Sequence, residues 1–365
     1  MALTIFCFVV LSFQILYFIF LLSAFRKRDL PSSHGQRAVS LIVCAHDEEE
    51  NLRELVPLLL LQDYPQFEVI VVEDRCNDGT YDYLLQATIE DERLRMVRVI
   101  HKPDHINGKK FALTLGIKAA RYDWVLLTDA DCRPASNSWI AQMTNRLNEP
   151  TKFVLGFSPY YKTPGLLNAF IRFESVLTGI QLTGMALLGR PYMGVGRNLA
   201  YRKEMFLNAK GFNSHLGVTG GDDDLFVNQH ATRENTTVSV GSDALVFSKP
   251  KETWKEFLHQ KFRHLSVGRW YKFSDKILLG LFSLSWILTW LLVLPCIFFL
   301  PLAKVLLAFF VIRMGLLIST MYVGPKKLGV AFEAWKTPLL DFMYAFYYLV
   351  TGAKALFVKK VKWKT

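Results

Sequence analysis

Two groups of acidic residues have the types and spacing needed for chemistry on a phosphorylated substrate. Asp129 and Asp131 stand one residue apart after the apolar run 125–127, and three adjacent aspartates occupy 222–224. Carboxylates at the end of a buried strand can turn together toward hard cations such as Mg²⁺ or Mn²⁺, which share oxygen ligands with phosphates. The first group therefore predicts a metal-bound diphosphate, and the second is free for proton transfer as a general base.

Both groups also have a purely structural interpretation. Asp-x-Asp is common in solvated turns and at helix starts, and the run 222–224 would in that case cap a helix beginning near Leu225. Position favours chemistry, because 125–127 is typical of a parallel strand and ligand sites lie at strand carboxyl ends. Gly220 and Gly221 also permit close approach of a substrate.

The elements that must position these residues alternate between strands and helices. Strands are predicted at 38–44, 67–72, 94–100 and 124–128, and helices at 51–59, at 81–91 and from Gly108 onward. Repeated strand–helix units imply an α/β domain with a mainly parallel sheet flanked by helices. No Gly-x-Gly-x-x-Gly follows the first strand and no Walker lysine loop occurs, which argues against dinucleotide and P-loop phosphate sites.

The loop after the first predicted strand, 45–51, is strongly acidic. It is unsuited to a triphosphate without a metal, but carboxylates accept hydrogen bonds from a uracil imide N–H or from ribose hydroxyls. Asp47 and Asp74, at the ends of neighbouring strands, are therefore predicted to hold one nucleoside. Helix capping by 47–51 and a simple turn at 77–80 are the alternatives.

Both ends of the chain carry apolar segments. Residues 2–25 are almost uncharged and precede basic residues at 26–28, which predicts a retained membrane anchor with a cytoplasmic flank. A cleaved signal peptide would carry its charges before the apolar run. Segments 277–300 and 302–323 predict a membrane hairpin, and 338–357 predicts an interfacial or re-entrant helix before a basic tail.

This arrangement places 26–276 in the cytoplasm, as part of a multi-pass protein of the inner (plasma) membrane. Lys304 and Arg313, inside a predicted span, are expected to snorkel or to face a protein interior. The five cysteines form no Cys-x-x-Cys pair, so zinc and dithiol chemistry lack support, and a cytoplasmic location keeps them reduced. They stand at positions 7, 44, 76, 132 and 296.

Composition limits the kinds of partner. The chain has 365 residues, of which 51% are hydrophobic, and a formal charge of +11. Basic residues gather at the membrane flanks and at 249–276 rather than on an aromatic-interleaved surface, so no nucleic-acid partner is expected. Anionic lipid headgroups or a phosphorylated lipid substrate explain that placement better.

The motifs occur in an order that is typical of a known family. Together with three later motifs, they lie at 45–49, 73–80, 108–109, 129–131, 196–203, 221–225 and 260–264. Over 38–275 the set resembles the membrane-associated family 2 glycosyltransferases with a GT-A fold. Three positions depart from the family pattern: Glu73 replaces an Asp, Gly221 replaces a Glu and His264 replaces a Trp. The last departure leaves the acceptor and any processive polymerisation open.

The resemblance implies inverting transfer of a sugar from a nucleotide-sugar donor, expected to be UDP-linked, to an acceptor hydroxyl. Asp222 is implied as the general base, with Asp223 as the alternative, and Asp131 as the ligand of Mg²⁺ or Mn²⁺. The residues implied in binding the nucleotide sugar are Asp47, Asp74, Lys109, Asp129, Gln260 and Arg263. Gln260 and Arg263 stand three apart on a predicted amphipathic helix, for which membrane docking is a second explanation.

Four regions follow from these patterns. They are an anchor at 1–25, a cytoplasmic GT-A domain at 26–248, an interfacial helix region at 249–276, and membrane helices with a basic tail at 277–365. The expected function is sugar transfer to a membrane-presented lipid-linked or glycan acceptor in cell-envelope synthesis. A processive polysaccharide synthase subunit and a noncatalytic membrane scaffold are the alternatives, whereas the acidic loop 45–51 argues against a nucleotidyltransferase.

Overall fold

The computed structural model describes residues 1–26, 37–104 and 106–357. Two parts of the predicted basic flanks, 27–28 and 359–364, lie outside the described residues. The chain divides into two compact units. The described residues of 29–161 and 186–250 form the sheet unit, and those of 1–28, 162–185 and 251–365 form the helical unit.

The strands of the sheet unit form two sheets. They are β1 (Val39–Ala45), β2 (Phe67–Asp74), β3 (Leu94–Val99), β4 (Trp124–Asp129), β5 (Cys132–Pro134), β6 (Phe153–Leu155), β7 (Leu199–Arg202), β8 (Thr236–Val238) and β9 (Val246–Ser248). The larger sheet has the order β3-β2-β1-β4-β7-β6-β8, and β5 pairs with β9 in the smaller one. Strands β1 to β4 run parallel, and β7 is antiparallel to β4 and β6. The predicted mainly parallel sheet is confirmed.

Helices flank the larger sheet and build the second unit. They are α1 (Ala2–Ala24), α2 (Glu49–Leu60), α3 (Thr80–Glu90), α4 (Gly108–Ala119), α5 (Trp139–Thr144), α6 (Leu166–Leu187), α7 (Lys203–Asn208), α8 (Asp224–His230), α9 (Trp254–Val267), α10 (Phe273–Leu288), α11 (Leu294–Ile297), α12 (Ala303–Leu328) and α13 (Thr337–Phe357). Helix α2 shows why these segments fold, because Leu52, Leu55, Val56 and Leu59 recur at helical spacing and are all buried. Burying each such side chain contributes about 1.5–3 kcal/mol.

The register of the parallel strands sets where the functional edge lies. Cys44 of β1 lies beside Asp129 of β4, and Ala45 lies beside Glu73 of β2. All eight residues of β2 are buried, as expected for a strand covered on both faces. The loops that follow β1, β2 and β4 therefore open at the same edge of the sheet.

Within the part of the chain that the structure describes, three helical segments are long and apolar enough to cross a membrane. They are Ala2–Ala24, Phe273–Ile297 and Ala303–Leu328. These segments match the predicted spans at 2–25, 277–300 and 302–323. Helix α13 matches the segment at 338–357, and its interfacial or re-entrant placement stays a prediction. Residues 166–185 of helix α6 also belong to the helical unit, which the sequence analysis did not anticipate.

A buried polar network ties the helices of this unit together. Arg313 of α12 forms an ion pair with Asp341 of α13, and neither side chain is exposed. Gln14 of α1 accepts a hydrogen bond from Arg313 Nε, and Trp290 Nε1 donates to Asp341 Oδ2 at 3.1 Å. Arg313 thus faces a protein interior, which was one of the two placements expected for it. Lys304, in contrast, is exposed.

Candidate active site

One lysine connects the two acidic groups that the sequence singled out. Lys109 lies in the first turn of α4, and its Nζ donates a hydrogen bond to Asp129 Oδ1 at 2.9 Å. The same ammonium lies 3.5 Å from Asp222 Oδ2. Burial lowers the pKa of Lys109, but attraction from Asp129, Asp222 and Asp223 outweighs it and raises the pKa well above its usual value. Lys109 therefore stays charged among these carboxylates.

The turn between β4 and β5 offers a set of metal-ligating atoms. Ligand atoms of Asp129, Asp131 and Cys132 all lie within 4.8 Å of one another. Burial raises the pKa of the Cys132 thiol well above its usual value, and Cys132 Sγ donates to Asp131 Oδ1 at 3.4 Å. Asp129 and Asp131 supply carboxylate oxygens, which are the donors that a hard divalent cation prefers.

The three aspartates at 222–224 have different contacts. Asp223 caps α8: its Oδ1 accepts from the Asp224 N–H and its Oδ2 from the Gly196 N–H, each at 2.7 Å. Burial and the neighbouring Asp222 raise the pKa of Asp223. Asp224 Oδ1 accepts from the Leu225 N–H at 2.7 Å. The structural interpretation thus describes Asp223 and Asp224, while Asp222 is directed to Lys109.

The glycines before this run are required by the backbone. Gly220 and Gly221 have φ angles of +87° and +78°, a left-handed conformation that other residues rarely adopt. A glutamate at position 221, as the family pattern has, would be strained in this loop. The departure at Gly221 therefore reflects the local turn.

A second lysine, which the sequence analysis missed, anchors the loop that precedes Asp222. Lys110 is fully buried, and its Nζ donates to the carbonyl oxygens of His215 and Val218 at 2.6 and 2.8 Å. Burial lowers the pKa of Lys110 to about 8. The pair Lys109 and Lys110 thus connects one helix to both the carboxylates and the loop. A lysine in an otherwise apolar helical position was the available signal.

The predicted nucleoside residues lie at the ends of β1 and β2. Asp47 has a φ of +56°, and its Oδ1 accepts from the Asn77 N–H at 2.6 Å. Asp74 accepts two hydrogen bonds from Arg75, at 2.7 and 3.1 Å. The two loops are joined directly, because His46 Nδ1 lies 2.5 Å from the carbonyl oxygen of Asp74. One edge of the sheet therefore carries both predicted nucleoside carboxylates.

Gln260 and Arg263 occupy the predicted helix, α9, in the helical unit. Between them Lys261 forms a buried ion pair with Glu174 of α6, with 2.5 Å from Nζ to Oε2. The pairing fixes α9 within its own unit. A role for Gln260 and Arg263 in binding the donor stays a prediction.

Two family models match the chain. The one described as Glycosyl transferase family 2 matches residues 40–207, and the one described as Glycosyl transferase family group 2 matches residues 124–351. The second match covers more than half of the chain and includes the aspartate run as well as the helical segments that follow it.

Individual proteins show the same likeness. The glycosyltransferase AglE of Haloferax volcanii is 24% identical over 227 residues, which cover 62% of this chain and 71% of that protein. The poly-beta-1,6-N-acetyl-D-glucosamine synthase of Staphylococcus epidermidis is 28% identical over 124 residues, or 32% of this chain and 28% of that protein. The Escherichia coli protein WfaP, a UDP-Glc:alpha-D-GlcNAc-diphosphoundecaprenol beta-1,3-glucosyltransferase, is 24% identical over 145 residues, or 39% and 50%.

Solved structures share the fold. A mannosyltransferase from Pyrobaculum calidifontis, solved in complex with GDP-Man and Mn²⁺, superposes with a TM-score of 0.64. The two sequences are 16% identical, and the superposition covers 98% of each chain. The GT-A-like architecture expected from the motifs is thereby confirmed.

Proposed function

Because the chain belongs to glycosyltransferase family 2, we propose that it transfers a sugar, with inversion, from a nucleotide sugar to an acceptor hydroxyl at a membrane. The observation that carries this proposal is the position of Lys109, whose ammonium contacts Asp129 and Asp222. One side chain thus brings a predicted donor-binding carboxylate together with the predicted base. A noncatalytic scaffold gives no reason for this convergence.

Asp222 is assigned as the general base in preference to Asp223. Both carboxylate oxygens of Asp223 accept backbone hydrogen bonds, so that side chain is committed to the fold. Asp222 takes the proton of the acceptor hydroxyl while the hydroxyl oxygen bonds to the anomeric carbon. The bond from that carbon to the diphosphate oxygen breaks in the same displacement, and the nucleoside diphosphate leaves with the electron pair.

The donor is assigned to the edge formed by β1, β2 and β4. Asp47 and Asp74 hold the nucleoside, and Asp129 contacts the ribose or the donor sugar. Asp131, with Asp129 beside it, would hold Mg²⁺ or Mn²⁺, and such an ion supplies positive charge for the departing diphosphate. The Mn²⁺ in the structurally similar mannosyltransferase supports a divalent ion. Lys109, charged among these carboxylates, adds to the positive charge near the donor.

The acceptor is proposed to be presented by a membrane. Three helices have the length and composition of membrane spans, and the relative WfaP is named for transfer to a diphosphoundecaprenol-linked sugar. We assign 1–25 as an anchor, 26–248 as the catalytic domain, 249–276 as an interfacial region and 277–365 as membrane helices with a basic tail. The catalytic domain is placed on the cytoplasmic face of the plasma membrane, where nucleotide sugars are made.

Single-sugar transfer is preferred to processive polymerisation. The likeness to the Staphylococcus epidermidis synthase extends over only 32% of this chain. Two or three C-terminal spans would form a poor translocation path for a growing polymer, unless subunits assemble. Cell-envelope glycan or glycolipid synthesis therefore remains the proposed setting, with one sugar added per reaction.

A donor screen tests the proposal. Membranes that contain the full chain are incubated with radiolabelled UDP-, GDP- and CDP-sugars and Mn²⁺, and label in the organic-extractable and glycan fractions is counted. The proposal expects label from one nucleotide class in one of these fractions, together with release of the matching nucleoside diphosphate. Release no greater than in membranes without the protein would overturn it.

A further inference from the structure

Arg197 occupies a position that the motifs leave unassigned. It lies in a short 3₁₀ turn, Gly196–Asn198, directly before β7. Strand β7 is antiparallel to β4, and Leu199 pairs with Leu127. Arg197 precedes Leu199 by two residues, and Asp129, the last residue of β4, follows Leu127 by two. The turn that carries Arg197 therefore adjoins the end of β4, where Asp129 lies.

The backbone of this turn is held on both sides of Arg197. The Gly196 N–H donates to Asp223 Oδ2 at 2.7 Å. The fully buried side chain of Asn198 accepts from Trp139 Nε1 at 3.0 Å and donates to the carbonyl oxygens of Phe157 and Ala244 at 2.8 Å. These bonds leave the turn little freedom. The turn that carries Arg197 is thus held in place by the fold, in contact with Asp223.

The guanidinium of Arg197 has hydrogen-bonding capacity to spare. It is half-buried and lies over the ring of Tyr160, 4.9 Å from the ring centroid. Among the described residues, none accepts a hydrogen bond from it and none forms an ion pair with it at 4.0 Å or less. Arg133, in contrast, donates to Glu54 and to the carbonyl oxygens of Ala130 and Cys132.

Electrostatics support the placement. Burial lowers the pKa of Arg197, but Tyr160, Cys132, Asp129 and Asp131 raise it, and the net pKa lies above the usual value. The cation is therefore attracted to the carboxylates without being neutralised by a direct partner. Its five N–H groups form a planar fork that fits two phosphate oxygens at once.

We infer that Arg197 binds the diphosphate of the nucleotide-sugar donor and stabilises the negative charge that develops as the nucleotide departs. The inference rests on the proposed function, because a diphosphate is present only if the donor is a nucleotide sugar. It assigns a donor-side role to a residue of the motif at 196–203. The competing interpretation is that Arg197 only offsets the negative charge of Asp129 and Asp131 and does not contact the ligand.

The test compares ligands that differ only in phosphate. Binding of UDP and UMP to the detergent-purified full chain is measured by calorimetry with Mn²⁺, and binding of uridine by ligand-observed NMR. If the unaltered protein prefers another base, the diphosphate, the monophosphate and the nucleoside of guanine or cytosine are used instead. We expect Arg197→Met to weaken diphosphate binding roughly 10- to 100-fold, with little change for the nucleoside, and Arg197→Lys to fall between.

The matched control is Arg146→Met, in the same unit, whose guanidinium donates to the carbonyl oxygen of Val238. It should leave the ratio of diphosphate to nucleoside affinity unchanged. If Arg197→Met lowered the affinity for all three ligands equally, the role of Arg197 would be purely structural. If it left diphosphate affinity unchanged, Arg197 would have no role in binding. Either result would overturn this inference without affecting the proposed function. If the unaltered, folded protein binds no nucleoside diphosphate, the proposed function fails as well.

Discussion

In the helical unit, Arg313 and Asp341 are buried as a matched pair, whereas in the sheet unit Lys109 contacts two carboxylates, those of Asp129 and Asp222. The first arrangement satisfies itself: Gln14 and Trp290 complete the hydrogen bonds, and neither charge is exposed. A buried pair of this kind needs no ligand and fixes helices relative to one another.

The sheet unit instead gathers more negative than positive charge at one edge. Asp129, Asp131, Asp222 and Asp223 lie in a cluster in which Lys109 supplies one positive charge, and Asp129 stays one-third exposed. Like charges held close together are unfavourable unless a cation offsets them. The charges in the helical unit are therefore paired within the protein and stabilise the fold, whereas the excess negative charge in the sheet unit is suited to binding a cationic ligand.

The largest effect is expected from removing the proposed base. Asp222→Asn should lower the rate of sugar transfer about 10²- to 10⁴-fold, because the acceptor hydroxyl loses its proton acceptor. Binding of the donor nucleotide should change little. Initial transfer rates and calorimetric affinities measured on the same preparation separate the two quantities.

Two further variants locate this effect. Asp91→Asn, at an exposed ion pair with Arg93, serves as the surface control and should keep full activity. Asp223→Asn keeps one side-chain oxygen but replaces the other with an amide NH₂ group, so the backbone N–H of Gly196 or of Asp224 loses its acceptor. The variant is expected mainly to destabilise the fold, by about 1–3 kcal/mol. If Asp223→Asn abolished transfer in a folded protein while Asp222→Asn did not, the base would be Asp223.

The matched pair should show its value as stability. Arg313→Met or Asp341→Asn leaves one charge or dipole buried without its partner, and each should lower the free energy of unfolding by about 3–5 kcal/mol. The double variant Arg313→Met/Asp341→Leu should recover most of that loss. Thermal unfolding in detergent measures all three, with the exposed Lys304→Met on the same helix as the control. A double variant as unstable as the single ones would contradict the comparison.

A smaller effect is expected at Lys110, which belongs to the fold but acts near the site. Lys110→Met leaves the carbonyl oxygens of His215 and Val218 without their donor, so the loop before Asp222 loosens. We expect kcat to fall roughly tenfold with little change in the donor KM. Lys110→Arg should restore part of kcat.

The control for this prediction lies on the same helix. Lys118 of α4 is exposed, and Lys118→Met should leave kcat unchanged. Full kcat in the folded Lys110→Met variant would show that the hydrogen bonds from Lys110 to this loop do not affect catalysis. An equal loss of kcat in both variants would point to α4 as a whole.

Much of this architecture is accessible from local patterns. The strands at 38–44, 67–72, 94–100 and 124–128 are continuous apolar or β-branched runs, and the structure places β1 to β4 there with small shifts at their ends. The apolar segments at 2–25, 277–300 and 302–323 are equally legible, because composition and length alone identify them.

Contacts between distant parts of the chain were not accessible in the same way. The pairing of β5 with β9 joins two three-residue strands that carry no pattern of their own. Nothing local pairs Arg313 with Asp341, or Lys110 with the carbonyl oxygen of Val218. Such partners are set by the tertiary fold.

Within the site, the types of the functional residues can be predicted from the sequence, but the separate role of each residue cannot. Three adjacent aspartates look alike in sequence, and only hydrogen bonds from Gly196 and Asp224 show that Asp223 is a cap. The φ of +78° at Gly221 likewise explains a departure from the family pattern that the sequence left unexplained.

The most direct measurement is calorimetric binding of UDP, GDP and CDP to the detergent-purified full chain, with and without Mn²⁺, for the unaltered protein and for Asp131→Ala. We expect one nucleoside diphosphate to bind in the presence of Mn²⁺, and we expect this binding to be lost without the metal or without the Asp131 carboxylate. The proposed donor site would be refuted if no nucleoside diphosphate bound to the folded protein under any condition, or if binding depended on neither the metal nor Asp131.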